Sequence, residues 1–257
     1  MSKFECKKCG HCCGYLGKSR ELEEITSKKS PLYILPGIEQ TWLSLYEWEL
    51  DDFLDAGKQL GREMKIAPVL IAIDQLMNTP LGLVWQLVQV KCPFLNEQNL
   101  CDIYERRPLI CRLFPVRRSG LFLKTADLRY EDLFLNCKYL PQQELPISSE
   151  MDPEKFVKSM SDFFGEMHAY SYHQEKVQML LIELLKQLEA QSIIKLARGR
   201  PILDVKRLAD RKGATGLLRF LRNNKTEKVD VESHLKRFRD YRLSKEELLR
   251  LLKNSER

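Results

Sequence analysis

Cys6-Lys7-Lys8-Cys9-Gly10-His11-Cys12-Cys13 sets four thiols in eight residues of a chain that has eight cysteines altogether. Free cysteine behaves as a small hydrophobe and normally scatters through a core, so crowding of this kind needs a cause. Thiolates in C-x2-C spacing converge on one point when the backbone turns tightly, and Gly10 can supply the positive φ that such a knuckle requires. Working outward, Cys92, Cys101, Cys111 and Cys137 follow over a later block. The chain therefore offers two four-sulfur sites or one polynuclear site, with all eight cysteines as candidate ligands.

The context of these thiols decides how they are read. The amino terminus, Met-Ser-Lys-Phe-Glu, lacks the apolar segment of a secretory signal, so the expected address is the cytoplasm, where thiols stay reduced. Metal ligation is then preferred over four disulfides. At 257 residues the chain is long enough for one large domain or two small ones, with a core that needs no staples. An apolar share of 44% and a charged share of 30% fit a soluble globular protein and exclude a disordered or fibrous one. No stretch approaches the roughly 20 apolar residues of a membrane helix; Pro68 to Val90 is interrupted by Asp74, Asn78 and Pro80.

The fold class expected is α+β and predominantly helical. A cysteine-cluster metal-binding domain over residues 1–145, with a short β-hairpin, precedes a helical, basic region over 146–257. Ser44 and Glu47 have capping-box spacing and predict a helix from about 44 to Gly61, with Leu45, Trp48, Phe53 and Leu54 inward. The acidic set Glu47, Glu49, Asp51, Asp52 and Asp55 reads as a solvated face rather than a carboxylate site. Residues 20–40 read as a surface excursion, and residues 66–77 are apolar without a clear period. Leu81 to Val90 alternates as a strand and delivers Cys92. A second strand at Asn99 to Ile103, joined through Asn96 to Gln98, would bring Cys101 beside Cys92. Pro108 opens a short helix that carries Cys111.

No cysteine follows Leu140. Pro141, Pro146 and Ser148-Ser149 mark a linker, and Asp152-Pro153-Glu154 opens a helix. Val177, Leu180, Leu181, Leu184, Leu185 and Leu188 then form an apolar stripe. Ser244 and Glu247 introduce a last helix. His168, His173 and His234 lack ligand spacing and read as helix-surface residues, and His11 as a neighbour of the cluster rather than a ligand. Gly17-Lys18-Ser19 imitates the end of a phosphate-binding loop, but Cys12 stands where its first glycine belongs.

Four thiolates around a dication leave two net negative charges that need cationic or hydrogen-bonding neighbours. Lys7, Lys8, Arg106, Arg107 and Arg112 are placed for this, with pairing to Glu105 or Asp102 as their ordinary alternative. Tetrahedral C-x2-C ligation suits zinc. Cys6-x2-Cys9-x2-Cys12 together with Cys92-Pro93 has the order of ferredoxin-type ligands for an iron-sulfur cluster (4Fe-4S). Cys13, adjacent to Cys12, departs from that pattern and points to a second site or a free thiol.

The set C-x2-C-G-x-C-C, C-P-F-L and C-x-I-Y-E-x-R-P-x-x-C-R-x-F-P, running from Cys6 to Pro115, resembles the cysteine-cluster family of zinc- or iron-chelating domains over residues 4–140. It is also similar to the cysteine-rich region of flagellin lysine-N-methylases. The resemblance implies that Cys6, Cys9, Cys12, Cys13, Cys92, Cys101, Cys111 and Cys137 chelate metal, in a family often described as holding an iron-sulfur cluster. No glycine-rich loop for S-adenosylmethionine accompanies it.

Three functions follow. The first is an iron-sulfur protein acting in electron transfer with a redox or protein partner, or as part of a modifying enzyme. The second is a structural zinc protein whose carboxyl-terminal half contacts RNA or another polyanion. Residues 195–257 carry about ten net positive charges against about one negative over 1–150. Arg198, Arg200, Lys206, Arg207, Arg211 and Lys212 are the candidate contacts there, with Phe220, Phe238 and Tyr241 as aromatics. The third is a methyltransferase-like enzyme acting on protein lysine.

Overall fold

The computed structural model describes residues 3–14, 30–35, 43–117, 134, 137–140, 145, 151–224 and 229–239. Its class is α+β, with eight helices and a small, mainly antiparallel sheet among the described residues. The expected linker prolines and the Ser244–Glu247 cap lie outside the described residues. None of the described helices is long and apolar enough to cross a membrane.

In chain order the elements begin with a single helical turn, α1 (His11–Gly14), and then strands β1 (Leu32–Ile34) and β2 (Ser44–Leu45). Helix α2 (Glu47–Gln59), strands β3 (Ile66–Asp74) and β4 (Thr79–Leu87) and helix α3 (Leu109–Leu113) follow. The later part comprises α4 (Pro153–Phe164), α5 (Glu166–Ala190), α6 (Ile202–Lys212), β5 (Thr215–Gly216), α7 (Leu217–Asn223) and α8 (Val231–Arg239). The chain divides into two compact units, each assembled from separated segments. One holds residues 1–14, 95–178 and 240–257, and the other 15–94 and 179–239.

The second unit holds the sheet, ordered β1-β3-β4-β2, with β5 parallel to β4. The apolar segment at 66–77 therefore contains a strand, and it pairs antiparallel with the strand expected over Leu81 to Val90, which runs instead from Thr79 to Leu87. All but the first residue of β4 is buried, which is why its hydrophobic run is nearly continuous. The surface excursion expected at 20–40 is corrected at Leu32–Ile34. This segment pairs with β3 and buries Tyr33 fully. Tyr33, Ile71 and Ile73 pack with Ala197, Ile202, Val205 and Leu208.

Helix α2 starts later than its sequence indicates. Ser44 and Leu45 pair with Gln86 and Trp85, while the Tyr46 N–H donates to Glu49 Oε2 at 3.0 Å. The same box logic thus operates two residues further on, because the sheet claims Ser44 first. Leu54, expected inside, is 41% exposed. Asp51, Asp52 and Asp55 are exposed as anticipated. Glu47 is the exception in that acidic face: its carboxylate accepts the N–H groups of Leu218 at 2.8 Å and Arg219 at 2.7 Å, capping α7. Burial raises its pKa against the opposing pull of those donors. A Cβ on Gly216 would stand 2.1 Å from that carboxyl carbon, so the cap requires glycine there.

Helix α4 is capped as predicted, with Asp152 accepting the Lys155 N–H at 2.9 Å. The leucine stripe is realised on α5, where all six residues are buried. Its histidines are not surface residues, however. His168 is fully buried, as is Ser171, and His173 is 7% exposed. The 3.6-residue period brings 168 and 171 onto one face, and that face turns inward.

The turn joining β3 to β4 is organised by Asp74, which is fully buried. Its carboxylate accepts the N–H groups of Leu76 and Met77, both at 3.1 Å, and of Lys195 at 3.0 Å. Asp74→Ala is expected to take a buried carboxylate acceptor away from three backbone N–H groups and to lower unfolding free energy by about 2 kcal/mol. Denaturant unfolding of the purified variant measures this, and an unchanged midpoint would contradict it.

Candidate metal centre

Seven of the eight cysteines lie in the unit formed by residues 1–14 and 95–178, and Cys92 lies in the other unit, 6% exposed. None of the eight is in a disulfide. Each segment that carries the seven is held by an identifiable contact.

Phe4 anchors the first. Its N–H donates to the Phe163 carbonyl at 2.8 Å, and its ring packs on Phe163 and Phe164 at centroid distances of 6.3 and 5.5 Å. Phe134 joins them, 5.4 Å from Phe164. Cys6 and Cys137 both rest against this aromatic core, which brings opposite ends of the cysteine block onto one surface. The Val116–Phe134 bridge helps to place Cys137, which lies three residues beyond.

The knuckle itself follows from Gly10. With φ at +67° it turns the chain so that the N–H groups of Cys13 and Gly14 donate back to its carbonyl, at 3.0 and 2.8 Å. Lys8 also adopts a positive φ, of 51°. The resulting turn, α1, sets Cys12 and Cys13 with their sulfurs 3.8 Å apart. Gly10 is needed a second time because the 95–101 loop is seated on it. A Cβ there would stand 2.4 Å from the Asn99 carbonyl oxygen and 2.8 Å from Leu95 Cδ1.

That loop carries Cys101. The predicted turn at Asn96–Gln98 forms, with Asn96 Oδ1 accepting the N–H groups of Gln98 and Leu100 at 3.0 and 2.9 Å. The strand expected to follow is reduced to one bridge, Leu95 to Cys101, and the long partner of β4 is β3 instead. Cys111 sits within α3, whose N-cap is Pro108.

The thiols feel one another electrostatically. The Cys12 pKa is raised strongly, first by its contact with Cys13, then by burial and by the charges of Cys13, Cys111 and Cys6. Burial chiefly raises Cys101, with Cys13 adding to the effect and the Ile103 N–H and Arg107 opposing it. Burial likewise leads for Cys137, opposed by the N–H groups of Tyr139 and Leu140 and reinforced by Cys6 and Cys9. Members of the early quartet thus interact electrostatically with Cys101, Cys111 and Cys137. Among the described residues, no three Cys, His, Asp or Glu side chains already form a closed ion-holding group. The donor set nevertheless fits zinc or iron in kind, being soft thiol sulfur carried by four segments of one unit.

Of the remaining candidates, His11 is exposed and Arg106 is exposed. Lys7 pairs with Glu5 at 4.0 Å. The guanidinium of Arg107 donates to the Tyr104 carbonyl at 2.8 Å and that of Arg112 to the Arg107 carbonyl at 2.8 Å, so both contacts go to backbone. Sequence reasoning missed Phe4, which seats the first thiol segment, and Tyr104, whose carbonyl accepts the Arg107 guanidinium. Their signals were an apolar residue two positions before the first cysteine and a tyrosine three before an arginine.

The basic region is more committed than its charge implies. Arg198 pairs with Glu189, Lys206 with Asp210 and Arg207 with Asp204. Lys212 donates to the Asn78 carbonyl at 2.9 Å and Arg200 to Asn78 Oδ1 at 3.3 Å. Phe220 and Phe238 are buried rather than presented for stacking, and Tyr241 lies outside the described residues.

These observations define a cysteine-rich domain with a metal-ligand donor set. The model of the CxxCxxCC family, described as "Putative zinc- or iron-chelating domain", matches residues 5–138, and the chain belongs to that family. No curated protein and no solved structure matches it.

Two outcomes are expected of the metal-free protein. Gly10→Ala meets both a strained φ and an occupied space, and should cost about 2 kcal/mol or more, read from thermal unfolding. Raised thiol pKa values mean that the native state retains protons that the unfolded chain releases. The associated stability is complete below the ordinary thiol value and is lost as pH rises through it and beyond. Melting temperature should therefore fall on the alkaline side, and a flat profile there would contradict the burial of these thiols.

Proposed function

We propose that the thiols of this chain hold an iron-sulfur cluster, and that the protein serves as an electron carrier or as the redox part of a modifying system. The observation that supports the reading is connectivity. The Cys12 and Cys13 sulfurs lie 3.8 Å apart, and charge on Cys6 and Cys111 acts on Cys12, charge on Cys13 on Cys101, and charge on Cys6 and Cys9 on Cys137. Seven thiols linked in this way are more than one mononuclear tetrahedral site uses, whereas two zinc sites call for two closed and separate quartets. A continuous field of sulfur suits a polynuclear centre.

In this reading Cys6, Cys9, Cys12, Cys13, Cys101, Cys111 and Cys137 supply the ligands, with Cys92 as the eighth candidate. A bound cluster would supply one-electron transfer. The chain's own contribution is to gather sulfurs from four segments on a rigid aromatic base and to turn the knuckle at Gly10. Backbone N–H groups of Ile103, Tyr139 and Leu140 stabilise thiolate at Cys101 and Cys137.

Protein purified without air is expected to be brown, with absorbance near 400 nm and an electron paramagnetic resonance signal on reduction. Cys101→Ser and Cys137→Ser should each lose most of the bound iron and lower thermal stability, because metal binding free energy is in part folding free energy. A colourless protein with stoichiometric zinc would overturn the iron-sulfur reading, and full metal content in both variants would remove these thiols from the ligand set.

A further inference from the structure

Tyr104 lies between two of the cysteines and carries two cations on its ring. Lys8 Nζ stands 4.2 Å from the ring centroid, and the Arg107 guanidinium carbon stands 3.6 Å from it. Lys8 belongs to the knuckle, next to Cys9. Arg107 comes from the segment leading into α3, which bears Cys111. The guanidinium is itself fixed, with Nε donating to the Tyr104 carbonyl at 2.8 Å and Nη1 reaching the Cys111 carbonyl at 3.5 Å. Arg112 extends the arrangement. Its Nε donates to the Arg107 carbonyl at 2.8 Å, and its guanidinium lies 5.9 Å from the Tyr170 ring centroid.

Cation–π contact of this kind holds a positive charge at a set place without neutralising it, unlike pairing with a carboxylate. A thiolate-rich metal centre carries excess negative charge and needs such cations near it. Lys8 and Arg107 meet on one ring, so the same contact ties the first cysteine segment to the later one.

We propose that Lys8, Tyr104 and Arg107 form a positioning bracket for the metal centre: the ring sets the spacing between the Cys9–Cys13 turn and the Cys101–Cys111 segment, and the two cations offset the charge of the ligand thiolates. The inference rests on the reading of the thiols as metal ligands. It assigns to the two cations a role in metal affinity that side-chain packing alone does not provide.

The test measures zinc and ferrous iron affinity of the full chain by chelator competition, in the absence of air. Lys8→Gln, Arg107→Gln and Tyr104→Leu are expected to weaken binding by about ten-fold or more, the usual size of effect for groups behind the ligands. Lys8→Arg and Tyr104→Phe, which keep the charge or the ring, should return affinity to within about two-fold of the unaltered chain. Lys8 is exposed, Lys8→Arg separates its charge from its contact, and circular dichroism checks the fold of every variant. If Lys8→Gln and Arg107→Gln both bind as tightly as the unaltered chain, the bracket is overturned while the ligand reading stands. If the unaltered chain takes up neither metal, the ligand reading fails and the bracket fails with it.

Discussion

The seating of Phe4 on Phe163 and Phe164 is the contact on which the sulfur arrangement depends. One backbone hydrogen bond and a cluster of tilted rings fix the chain two residues before the first cysteine. Aromatic pairs of this geometry contribute beyond simple burial, and they also fix direction. The same rings support Cys137 from below. Gly10 then does for the knuckle what Phe4 does for its base, since only a residue without a side chain permits both the turn and the approach of Asn99. The thiols need not find one another unaided, because the apolar core places the segments that bear them.

Much of this was legible in the residues, and the part that was not has physical reasons. Local signals held where local interactions decide the outcome. The Asp152 cap, the stripe on Glu166–Ala190, the turn at Asn96 and the strand read from Leu81 onward, which starts two residues earlier and ends at Leu87, are each encoded within a few residues. They failed where a distant partner competes. Ser44 looks like a cap but is claimed by Gln86 across the sheet. Leu32–Ile34 sits among charged and turn-forming residues, and only its pairing with β3 makes it a strand. The candidate site shows the same division: spacing identified the cysteines, whereas the neighbours of each thiol depend on tertiary packing that spacing does not encode.

Charge shows what composition leaves unsaid about where each cation goes. The surplus of lysine and arginine toward the carboxyl end reads as a polyanion-binding face, yet Arg198, Lys206 and Arg207 are paired with carboxylates. Exposed pairs of this kind contribute little stability, but they reduce the field available to a partner. The cations nearest the thiols are arranged differently, resting on aromatic rings and backbone carbonyls. A guanidinium so held keeps its full charge for whatever anion lies beside it.

The unit that bears seven of the thiols is built from segments far apart in sequence, and this matters during synthesis on the ribosome. Cys13 leaves the tunnel about 120 residues ahead of Cys137, an interval on the order of ten seconds at ordinary elongation rates. Throughout that time the nascent knuckle displays unshielded sulfur with no aromatic base beneath it. The order of synthesis therefore puts the knuckle ahead of the rings that seat it, and its final placement waits for Phe163 and Phe164.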